Sequence, residues 1–326
     1  MSDHERFNKA MADTNERFNK AMADTIERSN KAMGDMIKRI KKLEEENKEL
    51  KTKVKNKVTI HHGNGNIKYK GEYKNGMKHG YGLLYSEEGT LMYKGLWKKD
   101  KKSGQGSWYE PWNGDKRNGY ETVQYKGKFK DDMKHGYGLL YECDDLRYDG
   151  FWKGDKRNGL GKWYNEDGTL EYEGEFKDDK WNGHGESYDE DEKLKYKGEW
   201  KDNKYNGSGK LYDDDSLRYD GEFEDAKYNG HGKIYDEDGN LDYEGEWKDD
   251  KENGHGKEYN IDRSIRYVGK FKDGDYDYGK LYYDNNIIRY DGEFNNNKYN
   301  GQGKKYYSNG SLYHDGEWKD GVRVEK

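Results

Sequence analysis

One cysteine and one proline occur in the 326 residues of the chain. Cys143 has no mate within the chain, which excludes an intramolecular disulfide framework and fits a reducing compartment. Leu, Ile, Val and Phe together number only 41. That is too few for one conventional core at this length, and beside 39% charged residues such poverty ordinarily indicates disorder. No apolar run approaches the roughly 18 to 20 residues that cross a bilayer. Met1-Ser2-Asp3-His4-Glu5 opens without the apolar segment of a secretory signal. A soluble chain in the cytoplasm is the expectation, with the membrane periphery or the cytoskeleton as places where it could attach.

Rings and glycine fill the gap. Tyrosine occurs 32 times, tryptophan 9 times and glycine 43 times, so the apolar area is concentrated in large amphipathic side chains and order must come from their spacing. The net charge of -6 hides an asymmetry: residues 1–141 hold 30 Lys/Arg against 20 Asp/Glu, whereas residues 142–326 hold 31 against 47. The acidic stretch repels phosphates and argues against a nucleic-acid binder.

Two periods divide the chain. From residue 5 it reads ERFNKAMADTN, ERFNKAMADTI and ERSNKAMGDMI, an eleven-residue repeat of about 3.67 residues per turn that predicts a helix. From Met33 the stripe tightens to a heptad. Met33, Ile40, Asn47 and Val54 share one seam position, and Met36, Leu43 and Leu50 share the other, as in a short coiled coil. Arg39 facing Glu44 and Glu46 facing Lys51 of a second copy favour a parallel, in-register dimer. Asn47 in the seam favours two strands. The alternative is a solitary amphipathic helix folded back on the rest. The expected domains are a helical coiled coil over 1–60 and a repeat array over 61–326.

The second period starts after the break at Gly63-Asn64-Gly65. Tyrosine and glycine two residues apart, followed by a further ring, recur at Tyr69/Gly71, Tyr93/Gly95/Trp97, Tyr125/Gly127, Tyr148/Gly150/Trp152, Tyr172/Gly174/Phe176 and Tyr196/Gly198/Trp200. The series continues through Tyr219/Gly221/Phe223, Tyr243/Gly245/Trp247, Tyr267/Gly269/Phe271, Tyr290/Gly292/Phe294 and, last, Tyr313/Gly316/Trp318. Only the second unit is long. It carries an insertion around Tyr109-Glu110-Pro111-Trp112-Asn113-Gly114, where a protruding loop is expected.

Within a unit, Leu170, Tyr172, Gly174 and Phe176 alternate with charged residues, so period two places them on one face of a half-buried strand. Asp178 to Asn182 is expected to turn the chain and Gly183 to Tyr188 to return it. Gly174 lies between two large residues on the packed face, where a side chain would collide with a ring of the neighbouring hairpin. A Gly-x-Gly pair recurs in nine units, from Gly80/Gly82 to Gly301/Gly303. None opens a helix, which excludes a phosphate-binding turn. The ninth unit has Asp277-Tyr278-Gly279-Lys280 instead, which puts its turn geometry in question. The eleventh stops before any second strand and is expected to cap the array.

This pattern of YxG(E/K)(W/F) followed by GxG, with an apolar residue two before the tyrosine, resembles the MORN family over roughly residues 67 to 320. The resemblance implies an all-β array of stacked hairpins in a single-layer, twisted antiparallel sheet, preceded here by the long helix. The residues themselves lead to the expectation of no catalytic centre, no cofactor and no metal. His79 and His135, and His184, His231 and His255, repeat at fixed offsets, and without a nearby Cys or His partner they do not form a zinc site. Asp213-Asp214-Asp215 and Asp236-Glu237-Asp238-Gly239 lack the spacing of a calcium loop and read as solvated turns. A non-enzymatic scaffold, dimerised by its helix and offering an elongated surface to a protein partner, is the expected function. The alternative is a peripheral membrane or phosphoinositide-binding protein acting through the basic N-terminal portion. It is weakened by the acidic balance of residues 61–326, 46 Lys/Arg against 56 Asp/Glu, which an anionic leaflet repels.

Overall fold

The structure, a computed structural model, describes residues 57–110 and 122–325. The expected helix, with its seam positions from Met33 to Val54, and most of the expected loop after Glu110 lie outside the described residues. The chain divides into two compact units, residues 1–161 and 162–326. The first contains β1 (Lys57–His61), β2 (Ile67–Lys74), β3 (Met77–Tyr85), β4 (Leu91–Lys98), β5 (Lys101–Glu110), β6 (Thr122–Lys130), β7 (Met133–Glu142), β8 (Asp145–Lys153) and the start of β9 (Lys156–Tyr164). The second runs through β10 (Leu170–Lys177), β11 (Lys180–Tyr188), β12 (Leu194–Lys201), β13 (Lys204–Asp213), β14 (Ser216–Glu224), β15 (Lys227–Tyr235) and β16 (Leu241–Lys248). It continues with β17 (Lys251–Tyr259), β18 (Ile265–Lys272), β19 (Asp275–Tyr282), β20 (Ile288–Asn295), β21 (Lys298–Tyr306), β22 (Leu312–Lys319) and β23 (Val322–Arg323). Each unit is a single antiparallel sheet in which strands pair with their sequence neighbours, and no helix occurs among the described residues.

Several expectations are corrected. Residues 57–60, assigned to the end of the helix, are strand: β1 pairs with β2, and Gly63-Asn64-Gly65 is the hairpin turn between them rather than a domain break. The turn within a repeat is shorter than expected. Asp178 and Asp179 alone make it, with φ of 49° and 72°, and β11 starts at Lys180. Positive φ at both central residues is the geometry whose twist matches that of paired strands. Asp and Asn adopt it at smaller cost than other non-glycine residues.

Tyr109 and Glu110 do not protrude but continue β5, paired with Val123 and Thr122. The ninth unit keeps the tight turn, at Asp273-Gly274, and pairs Gly269 with Gly279. What it lacks is one residue of the bulge beyond the turn. The eleventh unit has a second strand after all, the two-residue β23, paired through Trp318 and Arg323. Its tyrosine is also displaced. Gly316 pairs with Gly303 and His314 with Lys305, so His314 takes the place that tyrosine holds elsewhere and Tyr313 is 42% exposed.

The apolar residue two before each tyrosine is not on the tyrosine's face. Tyr196 pairs with Ser187, but Leu194 pairs with Tyr188, because Lys195 is an extra residue bulged between them. Period two breaks at that bulge and Leu194 turns to the opposite side.

Candidate interaction surface

The framework is built from four residues per repeat. The tyrosines from Tyr69 to Tyr290 are at most 1% exposed, and the Trp or Phe four residues on is buried beside each of them from the second repeat onward. Tyr172 meets Phe176 of its own hairpin edge-on at 5.2 Å and Trp200 of the next at 5.4 Å. The same two contacts recur at Tyr93, with Trp97 at 5.0 Å and Phe129 at 5.3 Å. Seen from the second ring, each therefore serves two hairpins. Phe223 lies 5.0 Å from Tyr219 of its own hairpin and 5.3 Å from Tyr196 of the one before. Trp247 joins Tyr243 at 5.0 Å to Tyr219 at 5.7 Å. Phe271 stands 5.0 Å from both Tyr267 and Tyr243, and Phe294 lies 5.0 Å from Tyr290 and 5.6 Å from Tyr267. Edge-to-face geometry sets the positive ring edge against the negative ring face.

Each tyrosine hydroxyl donates to the carbonyl three residues ahead, as Tyr172 to Glu175 at 3.0 Å and Tyr93 to Leu96 at 3.0 Å. Burial pushes the Tyr93 phenol of the first unit and the Tyr196 phenol of the second well above their ordinary range, so both remain neutral donors. Where the second ring is Trp, its N–H donates to a glycine carbonyl of the preceding hairpin, as Trp200 to Gly185 at 3.1 Å and Trp97 to Gly82 at 3.3 Å.

Glycine is required under the ring. A Cβ on Gly185 would lie 2.3 Å from the Tyr172 hydroxyl, and one on Gly174 would lie 2.5 Å from both that hydroxyl and the Gly185 Cα. The collision is therefore with the tyrosine and paired strand of the same hairpin, not with a ring of the neighbouring one as the alternation pattern suggested. The same correction applies at Gly71, Gly95, Gly127 and Gly150 in the first unit and at Gly198, Gly221, Gly245, Gly269 and Gly292 in the second. A Cβ on any of these would stand 2.3 to 2.9 Å from the hydroxyl of its own hairpin's tyrosine and 2.4 to 2.6 Å from the Cα of the glycine paired with it. Gly316 differs, because the group in the way is the His314 imidazole, with Nε2 at 2.8 Å.

The first glycine of Gly-x-Gly has another task. Gly183 adopts φ of 66°, and the space where its Cβ would stand holds the Glu175 carboxylate. That carboxylate accepts the N–H of His184 at 3.2 Å; Glu199, Glu222 and Glu246 do the same for Ser208, His231 and His255. The histidines thus sit in the bulge, with ring nitrogens 3.7 to 3.9 Å from those glutamates. Hydrogen bonding to Glu175 raises the His184 pKa, and the same bond lowers that of Glu175.

On this frame the position two residues before the first glycine of Gly-x-Gly changes chemistry between the units. In the second unit it carries a ring stacked flat on the framework tyrosine: Trp181 on Tyr172 at 4.4 Å, Tyr205 on Tyr196 at 3.9 Å and Tyr228 on Tyr219 at 3.9 Å. Tyr276 and Tyr299 continue the row. Glu252 interrupts it. Desolvation, with Glu258, Asp242 and Asp275 nearby, pushes the Glu252 carboxyl up to about 7. In the first unit the same position is a cation. Lys78 lies 4.3 Å from the Trp97 ring, Lys102 4.9 Å from Trp108, Lys134 4.5 Å from Trp152 and Arg157 5.9 Å from Tyr148. Burial lowers the pKa of the Lys78 and Lys102 ammonium groups.

The opposite face carries cross-strand charges. In the second unit these pair internally, as Lys197 with Glu186 at 2.9 Å and Lys210 with Asp220 at 2.9 Å. In the first, Lys70 and Lys94 stand opposite Leu83. The variable row was not recognised in the sequence, although its signal was present: one column at a fixed offset in the aligned repeats, changing from Lys and Arg to Trp and Tyr.

The acidic stretches Asp213 to Asp215 and Asp236 to Gly239 are inter-hairpin turns, the latter closed by Asp236 accepting the Asn240 N–H at 2.7 Å. Among the described residues no group of His, Cys, Asp and Glu is arranged to hold a metal ion.

Comparison with protein families gives the same periodicity. The MORN repeat model matches residues 69–91, 93–109, 125–141, 172–191, 196–218, 219–241, 243–263, 290–312 and 314–325, and a MORN repeat variant matches 56–75 and 157–178. The chain belongs to the MORN-repeat family. The ninth hairpin, which lacks the Gly-x-Gly pair, falls between matched segments. The last match starts at His314, the residue that stands in the tyrosine's place. No curated protein matches the chain.

Proposed function

We propose that this protein is a non-enzymatic scaffold that displays a row of exchangeable side chains at one per hairpin and is dimerised through the heptads of residues 33–54. MORN repeats are generally non-enzymatic. The observation that carries the reading is the division of labour within each repeat. Tyr, Trp/Phe and the paired glycines keep one geometry from hairpin to hairpin, while the position above them changes from cation to ring. A fixed frame with variable display is how repeat arrays present extended binding surfaces.

Dimerisation is tested by light scattering on the full chain carrying Leu43→Lys and Leu50→Lys. Charges in both seam layers should convert a parallel dimer to a monomer, with the β-sheet signal in circular dichroism unchanged. A full-length protein already monomeric at micromolar concentration sinks the dimer.

A further inference from the structure

In the second unit the row above the framework turns a ring face outward at successive hairpins. A Cβ on Gly185 would meet the Tyr172 hydroxyl, Cζ and Cε2 at 2.3, 2.5 and 2.6 Å, so the phenol lies flat on the sheet. Trp181 stacks on its other face within 4° of parallel, and the remaining face of the indole therefore points away from the sheet. Tyr205, Tyr228 and Tyr276 stack within 17°, 9° and 14° of parallel on Tyr196, Tyr219 and Tyr267. Unlike the buried framework rings, all four are partly exposed. Among the described residues no cation lies over them; that changes only at Tyr299, where Lys305 Nζ stands 5.6 Å from the ring centre. A cavity of about 240 Å³ is bounded by Trp181 and Tyr205, and a cleft of about 660 Å³ by Glu252 and Tyr276.

Glu252 interrupts these rings with a charge. Its neighbour Glu258 is satisfied by Arg266 at 2.7 Å and by the Tyr276 hydroxyl. The charges that act on Glu252 itself are all acidic, from Glu258, Asp242 and Asp275. Residues 162–326 carry 27 Lys/Arg against 42 Asp/Glu, which repels nucleic acid and favours a neutral or basic occupant.

Pitch selects the occupant. Trp181, Tyr205, Tyr228, Glu252 and Tyr276 stand on β11, β13, β15, β17 and β19, so two strands at about 4.8 Å set successive members roughly 9.6 Å apart. In polyproline II every third residue returns to one side after about 9.3 Å, and over the four intervals it falls behind the row by only about 1.2 Å. An α-helix returns after seven residues, about 10.5 Å, and overruns by about 3.6 Å. A β-strand puts its third residue on the far face. Aromatic-lined grooves are also the surfaces on which polyproline II docks. A neutral glycan stacks on such rings but brings no cation to Glu252.

We propose that the outward ring row of β11 to β19 binds a proline-rich segment of a partner protein in the polyproline II conformation, with prolines on Trp181, Tyr205, Tyr228 and Tyr276 and a lysine or arginine on Glu252. The segment advances three residues per hairpin. This rests on the scaffold reading and names the chemistry of its partner.

The test uses the full chain and a fluorescein-labelled peptide of five Pro-Ala-Gln triplets in which lysine replaces the fourth proline, read by fluorescence anisotropy. Tyr205→Lys installs the residue type that Lys78, Lys102 and Lys134 already place at this position, so the hairpin keeps its fold while the platform is lost. Saturable binding should then fall about tenfold, the scale of one aromatic anchor. Tyr205→Phe keeps the ring and should retain binding. Glu252→Gln should weaken this peptide about fivefold, the scale of one partly exposed ion pair, and leave the all-proline version unaffected. A peptide with the same prolines and lysine at every fourth position should bind about tenfold more weakly, because its prolines leave the row's register. Equal binding of the two peptides overturns the proposal. Binding of cellohexaose that Tyr205→Lys abolishes, without peptide binding, assigns the row to a glycan and overturns it as well. Failure to bind peptide by a chain that remains dimeric removes this partner class while leaving the scaffold reading intact. Loss of the dimer with peptide binding retained does the converse.

Discussion

A turn residue in this fold serves two hairpins. The second turn residue of one hairpin donates its N–H to a carbonyl of the hairpin before, as Asn203 to Trp181 at 3.1 Å, and its side chain accepts the returning N–H, Trp181 to Asn203 at 2.7 Å. Asp250 and Tyr228 repeat the exchange. Ala226 does only half of it. Its N–H reaches the Tyr205 carbonyl at 2.9 Å, but a methyl group offers nothing to the Tyr205 N–H, and alanine is held at φ of 69°. Ala226→Asn supplies both the acceptor and a residue that tolerates positive φ. A gain of about 1 kcal/mol is expected in the β14–β15 hairpin, measured as slower amide exchange over residues 216–235. Unchanged or faster exchange there contradicts the double role of the turn.

At the scale of the element, the hairpin was legible because its rings and glycines repeat at fixed offsets, so alternation alone set Tyr172, Gly174 and Phe176 on one face. Alternation fails wherever an extra residue enters. Leu194 changed faces because Lys195 is bulged, and the role of Gly183 depends on a bulge that sequence spacing does not display. What confronts each strand glycine was also hidden, since the hydroxyl of a tyrosine two residues back folds over Gly174, Gly198 or Gly221 only once the strand is pleated. Tyr313 was misplaced for a related reason. The tyrosine was taken as the landmark, whereas the glycine pair fixes the register and leaves His314 beneath the ring position.

Nothing in the sequence marks Glu252, because only its neighbours in space make it unusual. It occupies the row where a ring stacks in five other hairpins of the second unit. With its carboxyl raised to about 7, the folded state binds its proton more tightly than the unfolded chain does. Its contribution to stability is therefore complete below the unfolded value near 4.5 and is lost as pH rises through about 7. Amide protection in β16 and β17, corrected for intrinsic exchange, should fall between pH 5 and pH 8 while β14 and β15 change little. Glu252→Gln should abolish the difference, and Glu252→Tyr should raise protection at every pH by restoring the stack. A pH response that survives Glu252→Gln places the titrating group elsewhere.

For the whole molecule, stability is a sum of local terms, since each hairpin contacts chiefly its neighbours. Composition does not reveal how that sum is distributed. The sequence displayed a charge asymmetry between its two parts, but the physical difference is finer. In the second unit, five hairpins add a flat ring stack to the edge-on ladder, and a glutamate caps the bulge N–H in hairpins such as β10–β11, β12–β13 and β14–β15. In the first, the stacking position holds Lys or Arg, and Leu96, Lys128 and Phe151 stand where the capping glutamate would be in β4–β5, β6–β7 and β8–β9, with Glu72 capping the Tyr81 N–H at 2.9 Å in β2–β3 alone. Each stack contributes about 0.5 to 1.5 kcal/mol beyond its buried area, and each cap satisfies a backbone donor worth about 1 kcal/mol. The cations return part of the deficit, about 0.5 to 1 kcal/mol per exposed site. Residues 57–161 should accordingly open at lower denaturant than residues 162–326. Native-state hydrogen exchange in increasing urea should resolve two sets of amides divided near residue 161, the first set losing protection earlier. Phe151→Glu, which places a carboxylate where Glu175 stands one hairpin later, should slow exchange in β8 and β9 without altering β16 to β22. One transition shared by all amides, at one urea concentration, would show that the array melts as a single cooperative body and that the nearest-neighbour account of its stability is wrong.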